Sequence, residues 1–158
     1  MADNRNPFKG PFKGKGANRL ALRELEKELD DIHAAMDMVE ERFNQIFTRP
    51  RPILLRRLRK RQYSLLWWRL AGSNGTYVRL FDSDAGSAVL ASMMMETREI
   101  MTQFDRERIR LNFKSKVIGN AVQAYRIRER DLSILENVDI ESTSIDPDII
   151  SSLYDEIS

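Results

Sequence analysis

The chain lacks cysteine altogether and carries one histidine, His33, in 158 residues. Without thiols there are no disulfides, thiolate zinc sites, iron–sulfur clusters or cysteine nucleophiles. One histidine leaves no multi-histidine metal site and little basis for a Ser-His-Asp triad. Apolar runs are short: none approaches the roughly 20 residues that span a bilayer. The first residues are polar and rich in Gly, Pro and Lys, without the apolar core of a signal peptide. These shortages predict a cytoplasmic protein with no membrane partner, no cofactor, no metal site and no catalytic residues. Phosphate-binding Gly-rich loops, zinc-binding His-Glu helices and calcium loops are also missing from the sequence. A non-enzymatic protein is expected.

Charge is what the chain has in quantity. The 26 Lys+Arg and 24 Asp+Glu nearly cancel, leaving +2. By position they do not cancel. Residues 1–130 hold every base and 16 acids, a net of +10, whereas residues 131–158 hold eight acids and no base. Arg49 to Arg69 contains eight bases and no acid, and Arg106 to Arg130 another eight bases with only Glu107 and Glu129. A basic body followed by an acidic segment suggests a polyanion partner and self-masking. A solvated surface with a solubilising tail is the plainer alternative.

The pattern along the chain places these charges on elements. Residues 1–17 read as a disordered basic arm, because Gly and Pro repeat within Pro-Phe-Lys-Gly and little apolar surface is present. Leu22, Leu25, Leu29, Ile32, Met36, Val39, Phe43 and Ile46 follow alternating steps of three and four, the seam of a coiled-coil-like helix over 19–48. Asn18 is positioned to cap it, and Pro50 limits its end. The seam must be covered by a second helix, by a second copy in a homodimer, or by both. Ile53 to Gln62 fits a short helix with Leu54, Leu55 and Leu58 on one face, or a basic lead-in to a strand.

Tyr63 to Phe81 reads as a β-hairpin: aromatic and β-branched runs flank Ala71-Gly-Ser-Asn-Gly75. A five-residue loop pairs Arg69 with Tyr77 and Trp68 with Val78. Leu66, Trp68, Leu70, Val78 and Leu80 then share an apolar face, and Trp67, Arg69, Tyr77 and Arg79 an aromatic, cationic one. Asp82-Ser83-Asp84 offers N-caps for a second long helix from about Gly86 to Leu132. Its heptad frame is interrupted at Thr97, Arg108, Ser115 and Glu129, and Gly119-Asn120 is expected to kink or break it. Met93, Met94 and Met95 look like core filler. Residues 133–158 form an acidic segment whose Ile149, Ile150, Leu153 and Ile157 suit a short docking helix. The expected fold is therefore mainly α, an α+β layout of two long helices with an inserted β-hairpin, spanning 18–132.

Leu65-Leu-Trp-Trp-Arg-Leu, a Gly/Asn turn and Gly75-Thr-Tyr-Val-Arg-Leu80, set between two long helices, resemble small proteins of integrative and conjugative elements. Some of those are labelled integrase regulators. The resemblance covers about residues 20–130. It implies a mobile-element setting and a regulatory, DNA-associated role, and it transfers no catalytic residue. The expected function is a nucleic-acid-binding accessory protein, with DNA as the first candidate. Arg49, Arg51, Arg56, Arg57, Arg59, Lys60 and Arg61 would hold phosphates. Arg69 and Arg79 would contact the nucleic acid from the hairpin, with Trp67 and Tyr77 stacking on bases. The alternative is a protein-binding inhibitor or adaptor acting through the basic face or through residues 133–158.

Overall fold

The computed structural model describes residues 15–72 and 75–138. Within them run α1 (Lys15–Ile46), β1 (Ile53–Arg59), β2 (Ser64–Leu70), β3 (Tyr77–Val78), α2 (Asp84–Ala91) and α3 (Met95–Glu136). The fold is mainly helical, with one antiparallel sheet in the order β1-β2-β3. The 1–14 part of the expected arm, Ser73 and Asn74 of the turn, and residues 139–158 of the acidic segment lie outside the described residues.

The apolar seam of α1 is the most direct link from sequence to packing. Ile32, Met36, Val39 and Phe43 are buried at the centre of the core. Ile46, the last seam position, is exposed because the helix ends there. Helix α3 runs antiparallel to α1: Arg19 and Glu26 near the start of α1 pair with Glu129 and Arg126 late in α3, while Phe43 meets Phe104 early in α3 at 5.3 Å between ring centroids. Trp68 completes this aromatic group from β2, edge-on to Phe43 at 5.4 Å. The core thus sits between the two helices and one face of the sheet. Truncating Phe43 there would cost on the order of 3–5 kcal/mol, the usual range for a buried aromatic.

Three expectations are corrected by this packing. Helix α1 begins at Lys15, so Asn18 lies inside the helix instead of capping it, buried with its amide 3.5 Å from the Tyr125 carbonyl. Ile53–Arg59 is a full strand, because all seven of its residues pair with β2 from Ile53↔Leu70 to Arg59↔Ser64. The second long helix is two helices. Ser83 caps α2 by accepting from the Gly86 amide at 3.0 Å, the chain turns at Ser92, and α3 then continues unbroken through Gly119 to Glu136. Met94 and Met95 sit at that break and are exposed, leaving Met93 to pack on the core.

The hairpin register matches expectation, with Trp68↔Val78 and Arg69↔Tyr77 paired and the Leu70 amide donating to the Thr76 carbonyl at 2.9 Å. Leu66, Trp68, Val78 and Leu80 are buried together. Yet β3 spans two residues, so it leaves the Ser64–Leu66 edge of β2 uncovered. Side chains of α3 close that edge. Asn112 accepts from the Leu66 amide at 2.6 Å and donates to the Leu66 carbonyl at 2.9 Å. Ser115 accepts from the Ser64 amide at 3.1 Å and donates to its carbonyl at 2.7 Å. Three of the four polar positions that interrupt the heptad frame of α3 have a bonding role: Ser115 holds the strand edge, Glu129 holds Arg19, and Arg108 holds Asp105 at 2.6 Å where Asp105 accepts from the Trp68 indole nitrogen at 2.7 Å. Gly119 serves the same junction, since a Cβ there would lie 2.5 Å from the Gln62 carbonyl oxygen.

Candidate nucleic-acid interface

Alternation along the strands sends Ile53, Leu55, Leu66, Trp68 and Val78 into the core and turns the alternate residues to the opposite sheet face, where Tyr77 is exposed and the rest are half-buried. That outer face carries Leu54, Arg56 and Leu58 from β1, Leu65, Trp67 and Arg69 from β2, and Tyr77 from β3. Pairing places Arg56 opposite Trp67, and Arg69 opposite Tyr77. The Trp67 and Tyr77 rings meet edge-on at 6.4 Å between centroids. The Arg69 guanidinium lies 5.9 Å from the Tyr77 ring and donates to the Gly75 carbonyl at 3.1 Å. Tyr77 is 40% exposed and Trp67 is half-buried. The buried Trp67 indole nitrogen has no hydrogen-bond partner among the described residues.

The phosphate-holding candidates divide into two groups. Arg56, Arg57 and Arg51 are engaged by the fold. Arg56 pairs with Glu40 at 2.7 Å, Arg57 pairs with Asp37 at 2.9 Å, and the Arg57 amide donates to Glu40 at 2.9 Å. These contacts from α1 cover the free edge of β1, which explains two acids on the flank of the seam. Arg51 donates to the Phe47 carbonyl and lies 5.8 Å from the Phe43 ring. Partial burial holds the Arg51 guanidinium below its ordinary pKa, and neighbouring Arg49 and Arg56 push the same way.

Arg59, Lys60 and Arg61 are exposed around the β1–β2 turn and make no ion pair with another described residue. Arg49 is exposed at the opposite end of the sheet, beside Pro50, Leu54 and Gly72. A seven-residue strand separates the two ends by roughly 23 Å. Arg79, just past β3, is exposed and pairs loosely with Asp82 at 3.2 Å. The structure thus brings Trp67, Arg69 and Tyr77 onto one face, adds the Arg59–Arg61 turn at its end, and holds Arg51, Arg56 and Arg57 in contacts with α1 and the segment after it.

One part of the surface was missed in the sequence. Beside Trp67, a cleft of about 290 Å³ lies between the sheet and α3, bordered by Phe81 and Ile109 and by two ion pairs, Arg79–Asp82 and Arg108–Asp105. Ile109 opens a second apolar row on α3 with Phe113 and Val117, all exposed. Their steps of four residues are a helical face in their own right. That face points away from the core formed by Met101, Phe104, Leu111 and Val122.

His33 is half-buried on α1. Burial first, then the nearby Arg57 guanidinium, hold its imidazole pKa below the ordinary 6.5. It lies near charged side chains, Arg57, Asp30 and Asp37 among them, and flanks the seam next to Ile32. Among the described residues, no group of three or more acidic or histidine side chains is placed to hold a metal ion. No helix among them is long and apolar enough to cross a membrane. The chain matches no family model, no curated protein and no solved structure.

Proposed function

We propose that the protein is a non-enzymatic nucleic-acid-binding accessory or regulatory protein of a mobile genetic element. The observation that carries this reading is the outer sheet face. It gathers Trp67 and Tyr77 with Arg69, and the basic, exposed Arg59–Arg61 turn stands at its end. Guanidinium groups bind phosphate through paired N–H donors, and aromatic rings stack on bases. The mobile-element setting rests on the sequence resemblance of the hairpin. In this reading the antiparallel α1–α3 pair is a coiled-coil-like helical hairpin that backs the inner face of the sheet.

Fluorescence anisotropy of a labelled oligonucleotide at low salt tests the reading. Binding that the triple variant Arg59→Ala/Lys60→Ala/Arg61→Ala weakens supports it. All three side chains are exposed, so this variant leaves the fold intact. No binding of either DNA or RNA at low salt overturns it.

A further inference from the structure

A two-stranded ribbon enters the DNA major groove as a free, narrow element. Here the β2–β3 ribbon is not free. Strand β1 pairs along one side of β2, and Asn112 and Ser115 of α3 bond to the other. The available surface is broad instead. Trp67 and Ile109 border the same cleft, so the outer sheet face passes into the outward face of α3. Phe113, one turn beyond Ile109, is 69% exposed and Ile109 55%. Arg106 and Lys116 flank this row on the helix and make no ion pair with another described residue. An exposed phenyl ring set among cations suits an unstacked base with phosphates on either side. It does not suit self-association, since two copies would bring cations against cations.

Resting on the reading above, we infer that the ligand is a single strand, lying from the outer sheet face across the Trp67 cleft onto α3, with one base stacked on Phe113. Duplex DNA keeps its bases in the stack and offers this ring only its backbone. Trp67, Tyr77 and Phe113 then form a row of stacking positions, and Arg69, Arg79 and Lys116 supply phosphate contacts between them.

The test compares the full chain with Phe113→Leu and Phe113→Trp, using labelled thymidine strands about 15 nucleotides long and the matched duplex. Phe113→Leu keeps the apolar bulk and removes the ring, whereas Phe113→Trp keeps a stacking surface. Expected are tighter binding of the single strand than of the duplex, a loss of about tenfold with Phe113→Leu, and retained affinity with Phe113→Trp. Phe113→Leu binding as tightly as the parent overturns the inference. So does an equal loss for single strand and duplex. In both cases the broader nucleic-acid reading stands, whereas failure to bind either form removes both. Capture of a synthetic acidic peptide covering residues 146–158, abolished by Phe113→Leu that leaves strand affinity unchanged, assigns the face to a protein segment and overturns the inference.

Discussion

Replacing Asn112 by Ala would detach α3 from the open edge of β2. In the intact protein one side-chain amide satisfies both polar groups of the Leu66 backbone, at 2.6 and 2.9 Å. The Leu66 side chain is fully buried and β3 ends before reaching this position, so no strand can take over. A buried donor or acceptor that loses its partner costs about 1–3 kcal/mol. Two such groups, with some relief from water entering beside the half-buried Asn112, give roughly 2–4 kcal/mol. Against a total stability of about 5–15 kcal/mol this is a large fraction. Equilibrium urea unfolding measures it as a lower midpoint with an unchanged slope. Asn120→Ala, on an exposed turn of the same helix, controls for the altered helix propensity and should change stability by less than about 0.5 kcal/mol. If Asn112→Ala costs no more than Asn120→Ala, the Asn112 side chain does not seal the edge of β2.

Gly119→Ala should destabilise by about 1–3 kcal/mol although alanine favours helix, because the added Cβ meets the Gln62 carbonyl oxygen at 2.5 Å; a stabilised variant in thermal unfolding would contradict the close approach. His33 is expected to make stability fall at acid pH. Its folded-state pKa lies below 6.5, so the unfolded chain binds the proton more readily. The loss starts as pH drops through about 6.5 and levels off below the lowered folded value. His33→Gln should remove that part of the pH dependence in urea titrations between about pH 7 and 5; an unaltered profile counts against it. Deleting residues 139–158 removes six acids and no base. If they mask the basic surface, oligonucleotide affinity rises several-fold at low salt; unchanged affinity in anisotropy assigns the acidic segment elsewhere.

Much of this architecture can be read from the residues, and the exceptions have physical causes. The α1 seam was legible because eight apolar side chains keep one spacing through the helix. The hairpin register was legible because loop length and the Gly-bounded turn leave one pairing that buries Trp68 and Val78 together. Strand β1 was not. Leu54, Leu55 and Leu58 fit a helical face equally well, and pairing with β2 decides the outcome, which is a tertiary effect. Gly119 has the look of a helix breaker and instead marks where a turn presses on the helix. The Arg56 and Arg57 pairs were hidden for a related reason: Glu40 and Asp37 lie more than a dozen residues upstream, and only the packing of β1 on α1 brings them together. The row Ile109, Phe113 and Val117 carries a signal, regular four-residue steps off the main frame, that the longer frame of Phe104, Leu111, Ile118 and Val122 overshadows.

Binding of nucleic acid by the aromatic and basic sheet face is read out most directly by the salt dependence of affinity. Anisotropy titrations of the full chain and of Arg59→Ala/Lys60→Ala/Arg61→Ala should be run across a range of salt concentrations. For the parent chain, log affinity should fall steeply and linearly with log salt. The slope of the variant should be shallower by about 0.7–0.9 for each phosphate contact it loses. A parent chain without measurable affinity at the lowest salt, or a slope that the triple variant leaves untouched, would contradict binding by this face.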